Sequence, residues 1–173
     1  MSDMKDMLRA KDIGAPGNGG QFVGVTHAEA PIVLTFTGPL AYDPDGDYFD
    51  NLDAAQDPAQ STSVLEQIAD TETDDDFKLA VASHRHASAT AISKALAHAG
   101  PQIMAAALAN PNTSIEDVAA IHATATRNAE AALEAVYRHG LKPGLLPLQM
   151  RADENGELAA VAAGILASAG LAA

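Results

Sequence analysis

Alanine sets the terms for this chain, supplying 38 of its 82 apolar residues. A methyl side chain fills little space, so the core must be thin and the elements that build it must approach one another closely. At 173 residues, the length suits one domain with an unfolded arm. The chain has no cysteine, which removes disulfide frameworks, thiolate zinc sites and cysteine nucleophiles together.

Charge is distributed as unevenly as volume. Residues 1–42 carry four acids and three bases, residues 77–173 seven of each, and residues 43–76 twelve acids and no base, so nearly all of the net −13 belongs to one segment. A halophile spreads acidity over its whole surface; acidity confined to one stretch points to a solvated, cation-binding or partner-binding segment. The negative surplus also argues against direct nucleic-acid binding, which needs Lys and Arg to neutralise phosphates. Residues 1–30 show no cationic end followed by an apolar run, so no secretory signal is visible. The uncharged stretch Leu158–Ala173 falls short of the ~20 residues that span a bilayer and reads as a buried helix. A cytoplasmic or virion location without membrane insertion is expected.

Three segments follow from the local signals. Residues 1–30 read as a flexible or draped arm, because Gly14–Gly20 packs four glycines and a proline into one stretch. Residues 31–62 read as short strands and an acidic loop. Ile32, Leu34 and Phe36 alternate with Val33, Thr35 and Thr37, Gln21–Thr26 offers a second strand, and Tyr42–Phe49 is expected to pair back as a hairpin around Asp43–Asp47. Residues 63–173 read as an alanine-rich helical domain. Capping-box spacing at Ser63/Glu66 and Thr73/Asp76 opens a short helix and then a long one to Ala99, ended by Gly100-Pro101. A short helix covers 102–109, and Ser114/Asp117 caps another long one to about His139, stopped by Gly140. Beyond Lys142-Pro143-Gly144, Asn155-Gly156 suits either a hairpin turn or a loop into a helix at Leu158–Ser168, and the helix is favoured. No internal repeat aligns. The expected fold is mainly α: an antiparallel helical bundle around helices 74–99 and 114–139, with an extended N-terminal arm and one or two short strands.

Asp43, Asp45, Asp47, Asp50 and Asp53 resemble a calcium loop in their alternation. They fail its pattern, because Gly46 is fourth rather than sixth and position twelve is Ala54 rather than Glu. These five carboxylates are instead the expected contact to a protein partner with a basic surface. Among the histidines, His98 and His139 fall in last helical turns, where an imidazolium suits the dipole. His84 and His122 lie on mid-helix stripes, with Glu130 opposite His84 in an antiparallel pair. Two imidazoles and one carboxylate are the minimum set for a divalent ion with an open water position, so His84, His122 and Glu130 define a metal-dependent hydrolase as the competing reading. No P-loop, dinucleotide fingerprint, nucleophile elbow or H-E-x-x-H occurs, and no cofactor is expected.

The stretch Gly14-Ala15-Pro16-Gly17-Asn18-Gly19-Gly20-Gln21-Phe22, followed by Thr26-His27-Ala28-Glu29-Ala30, resembles an N-terminal signature of uncharacterised actinobacterial phage and mobile-element proteins. The resemblance covers about 25 residues and implies an accessory or virion protein without assigning an activity. The functional expectation is a non-enzymatic protein–protein interaction protein, anti-defence or regulatory, whose acidic segment 43–76 faces a basic partner. A virion decoration protein that binds neighbouring subunits through its arm is the second reading. Because an alanine-rich fold buries little area per residue, a homo-oligomer is expected.

Overall fold

The computed structural model describes residues 38–139 and 146–171, all within one unit, Thr37–Ala173. The expected arm, the strands at 21–26 and 32–37, Gly140 and the Lys142–Gly144 connection lie outside the described residues. Within them the chain is mainly helical, with seven helices and no strand: α1 (Tyr48–Gln56), α2 (Thr62–Thr71), α3 (Asp75–Ser83), α4 (Ala89–Ala95), α5 (Pro101–Ala109), α6 (Ile115–His139) and α7 (Leu146–Ser168).

Three helix–turn–helix units repeat among the described residues. α1, α3 and α5 are each nine residues long and end on Asp57, His84 and Asn110, spaced 27 and 26 apart. Each of these residues uses its side chain to accept the backbone N–H two positions on: Asp57 from Ala59 at 2.9 Å, His84 Nδ1 from His86 at 3.1 Å and Asn110 from Asn112 at 3.0 Å. Each carbonyl closes a turn with the residue three on, at 2.8, 3.0 and 3.1 Å. A serine then caps the next helix, Ser61, Ser88 and Ser114, by accepting from the third N–H beyond it. Buried positions repeat as well: Ala54, Val81 and Ala107 in the first helices, and Leu65, Ile92 and Val118 in the second.

Neighbours stack on neighbours, as in repeat arrays generally. α3 packs on α1 and α5, and α2 on α4. α1 and α3 run parallel, because Tyr48 meets Asp76 and Phe77 at one end and Asp57 meets His84 at the other. α6 starts as the second helix of the third unit, then runs on. α7 folds back against it, antiparallel, with Asn128 facing Asn155, and also lies on α5.

Several sequence expectations are corrected. The helix expected at 74–99 is two, α3 and α4, broken at His84–Ala87 where the histidine turn and the Ser88 cap interrupt a stripe whose period runs on across the gap. His98 therefore lies beyond α4, in a left-handed conformation with φ of 58°. The long partner of α6 is α7 rather than a helix at 74–99. Neither a hairpin nor a loop forms at Asn155-Gly156; α7 runs through them, because burial of Ala152, Asn155, Leu158, Ala162 and Leu166 along one face outweighs the local turn preference. Tyr42–Phe49 is not a hairpin strand. Asp43–Gly46 forms a turn held by Asn51, and Asp47 caps α1. Gly46 fits that turn because a Cβ there would sit 2.9 Å from the Asp43 carbonyl. The caps of α2 and α3 are Ser61 and Asp74, rather than Ser63 and Thr73. The repeat itself is the largest departure, since the sequence shows no internal repeat that aligns.

Against the first unit, the chain at Leu40 takes the place that a preceding unit takes for the others: its N–H donates to Asp57 Oδ2 at 2.7 Å and its carbonyl accepts from Gln60 Nε2 at 2.9 Å. The Ala59 and Leu40 N–H groups hold the Asp57 carboxyl below the usual carboxylate range. A folded-state value below the unfolded one adds stability that is complete above the unfolded value and is lost as pH falls through the folded one. Urea midpoints followed from about pH 5 down to about pH 2 should therefore fall less steeply for Asp57→Asn than for the native chain; identical pH profiles would remove Asp57 from the acid response.

Candidate functional site

The parallel stacking of α1 on α3 brings two acidic stretches to one edge of the array. Asp47 and Asp50 stand at the start of α1, and Asp74, Asp75 and Asp76 at the start of α3. Tyr48 joins them: its hydroxyl donates to Asp76 at 3.0 Å and its ring meets Phe77 edge-on at 5.2 Å. Loss of solvent around the phenol, then the Asp76 hydrogen bond and the Asp74 charge, push Tyr48 up to about 12. A second tyrosine, Tyr42, ties the preceding turn to the end of α2 through Thr71 at 2.6 Å and Glu72 at 2.8 Å. Burial is the main cause of its raised phenol pKa.

All five carboxylates expected to face a partner are exposed. Asp43 and Asp47 also have local work: Asp43 accepts from Asp45 N–H at 3.1 Å and Asp47 from Phe49 N–H at 2.9 Å. The side chains of Asp45, Asp50 and Asp53 make no hydrogen bond or ion pair among the described residues. Two lysines reach the wider acidic surface, Lys94 on Asp70 at 2.5 Å and Lys78 near Asp75 at 3.8 Å.

The magnitudes separate capping from a surplus. Each helix N-terminus carries roughly half a positive charge, so α1 and α3 together offset about one of the five carboxylates at the edge, and Lys78 offsets another. An excess of about three negative charges remains in solvent. Capping accounts for where Asp47 and Asp74 stand, and not for how many acids surround them.

The histidines of the competing metal reading do not converge. His84 is buried, with Nδ1 accepting from His86 N–H and Nε2 2.9 Å from the Asp57 carbonyl. Those two partners fix the Nε2–H tautomer, and the ring is fully occupied. It is the equivalent of Asn110, whose amide donates to the Ala82 and His84 carbonyls at 2.9 and 3.0 Å. His122 is half-buried on α6 and Glu130 is exposed on the same helix. Among the described residues, no three His, Asp or Glu side chains are placed to hold a metal ion. The geometry assumed for a His84–His122–Glu130 centre is absent, because α6 pairs with α7.

The turns form a polar ladder that sequence reasoning missed. His86 Nδ1 lies 3.1 Å from the Gln60 carbonyl, and its counterpart Asn112 donates to the Arg85 and Ala87 carbonyls at 3.0 Å each. The signal available was the pairing of His84-Arg85-His86-Ala87-Ser88 with Asn110-Pro111-Asn112-Thr113-Ser114. Among the described residues every buried side-chain polar atom has a partner, so the ladder reads as structural.

Two grooves open on the face made by the first helices. One, about 550 Å³, lies between α1 and α3 and is lined by Leu52, Gln56, Asp76, Leu79, Ala80 and Ser83, with His84 at its end. A smaller one, about 200 Å³, lies between α3 and α5 beside Ser83, Arg85, Ala106 and Ala109. Among the described residues no helix is long and apolar enough to cross a membrane. Comparison of the chain with protein-family models, curated proteins and solved structures finds no match.

Proposed function

We propose that the chain is a non-enzymatic protein-interaction module whose stacked helical hairpins present an acidic edge to a basic surface of another protein. The observation that supports this most is the parallel alignment of α1 and α3, which gathers Asp47, Asp50 and Asp74–Asp76 at one edge, exposed and in excess of what the helix ends and Lys78 neutralise. A repeat array suits the role, because neighbouring units add surface without a deep central cavity. The edge repels nucleic-acid phosphates and attracts Lys- and Arg-rich protein surfaces, with a reach of about one Debye length, ~8 Å at physiological salt.

The test replaces Asp43, Asp45, Asp47, Asp50 and Asp53, and with them Asp74 and Asp75, by Asn. Asparagine still accepts at the Asp43 turn and at the Asp47 and Asp74 caps, so the helices are retained. Cross-linked capture from a cell lysate at increasing salt, quantified by mass spectrometry, should show basic proteins held by the native chain and released by salt. The variant should hold them about tenfold less at low salt, with a flatter salt dependence. Equal retention by both chains at every salt concentration rejects the acidic edge as the contact.

A further inference from the structure

The two grooves between the first helices are successive copies of one feature. Gln56, Ser83 and Ala109 occupy the same position in the three units, and Ser83 borders both grooves. On α3 and α5 the equivalent side chains that border the grooves are short, Ala80 with Ala106 and Ser83 with Ala109, so these helices leave the grooves unfilled.

We propose that this face binds an extended peptide segment of a partner protein, with one apolar side chain seated in each groove. The inference rests on the interaction reading above and names the form of the partner. Packed helices lie about 8–10 Å apart, and an extended chain in the polyproline II conformation rises about 3.1 Å per residue with three residues per turn. Side chains three residues apart therefore project from one side about 9 Å apart and match successive grooves. A helix, about 10 Å across, is too wide to seat in the smaller groove, which takes a single side chain.

Charge complements the two ends differently. Asp76 stands at the edge of the first groove and Arg85 beside the second, both exposed. The segment carries Lys or Arg on the side of its first anchor and Asp or Glu beyond its second. Leu52 and Leu79 line the first groove, which is also the larger of the two, so the larger anchor belongs there.

The probe is a random dodecapeptide display library selected on the full chain, followed by fluorescence anisotropy of the enriched peptides. Enrichment of apolar residues at i and i+3, basic on one flank and acidic on the other, is the expected result. Ser83→Trp fills the shared ridge with an exposed side chain away from the acidic edge and should weaken those peptides at least tenfold. Ala109→Gln, which crowds only the second groove, should weaken them less. Circular dichroism confirms that both variants keep their helices. No enrichment, an i and i+7 pattern that signals a helical ligand, or peptides unaffected by both variants would each overturn the proposal. If lysate proteins are still lost on Asp→Asn replacement while Ser83→Trp changes nothing, the groove fails and the acidic edge stands. If Ser83→Trp abolishes peptide binding while the Asn variant retains its lysate partners, the groove stands and the edge fails.

Discussion

Phe77→Ala should lower the free energy of unfolding by about 3–5 kcal/mol. Phe77 is 2% exposed, the largest of the fully buried side chains, and sits on α3, the helix that packs against α1, α2, α4 and α5. Loss of a buried aromatic costs its transfer free energy plus a term for the cavity that the neighbours fail to fill. Much of the surrounding core is alanine, including Ala55, Ala80, Ala82, Ala91 and Ala95. A methyl has no alternative rotamer with which to close a void, so the effect should fall toward the upper end. Against a typical total of about 5–15 kcal/mol, that is a large share of the stability. Urea titration followed by circular dichroism measures it, and a loss under about 1 kcal/mol would contradict a core that depends on a few large side chains. Tyr48 meets Phe77 edge-on, so the variant should also loosen α1 first, seen as faster amide exchange in α1 than in α7.

Some of this architecture is legible in the sequence because its signals are local. The Ser114/Asp117 cap forms as read, with the hydroxyl donating to Asp117 at 2.7 Å and accepting its N–H at 3.0 Å. Pro101 opens α5 in the first helical turn, close to the expected start. The break after Ser83 is hidden because Phe77, Val81, Ile92 and Leu96 keep a helical period across it, and neither Gly nor Pro marks the gap. Its signal is a serine cap without an acidic partner three residues on, since Ala91 stands there.

The repeat escapes for a different reason. Identity between units survives in few places, chiefly the capping serines and the prolines at 58 and 111. Elsewhere what persists is burial. Leu65, Ile92 and Val118 exchange volume at one site, and Ala54, Val81 and Ala107 at another, and cores tolerate such changes when neighbours compensate. The acidic segment was visible as charge, whereas the gathering of its two halves was not. That proximity comes from stacking one unit on the next, a tertiary fact with no local signature.

Asn110→Ala should cost about 2–4 kcal/mol, most of it from groups left without partners. The Asn110 amide is the donor to two buried carbonyls, Ala82 and His84, and its oxygen accepts from Asn112 N–H; the His84 carbonyl keeps its Ala87 N–H bond, so the stranded groups are the Ala82 carbonyl and the Asn112 N–H. A buried polar group stranded by mutation costs about 1–3 kcal/mol, well above the net worth of an intact hydrogen bond. His84→Ala strands the His86 N–H and leaves the Asp57 carbonyl with its Gln60 N–H bond alone, so a loss of similar kind is expected there. His84→Asn is the informative change, since asparagine fills the equivalent position of the next unit, accepting from the N–H two residues on and donating backward to the preceding unit. If the units are physically interchangeable, His84→Asn should lose less than half of what His84→Ala loses in urea unfolding. Equal losses would mean that the ring's greater reach to Asp57 is indispensable. The ladder would then be three separate solutions to a turn rather than one solution used three times.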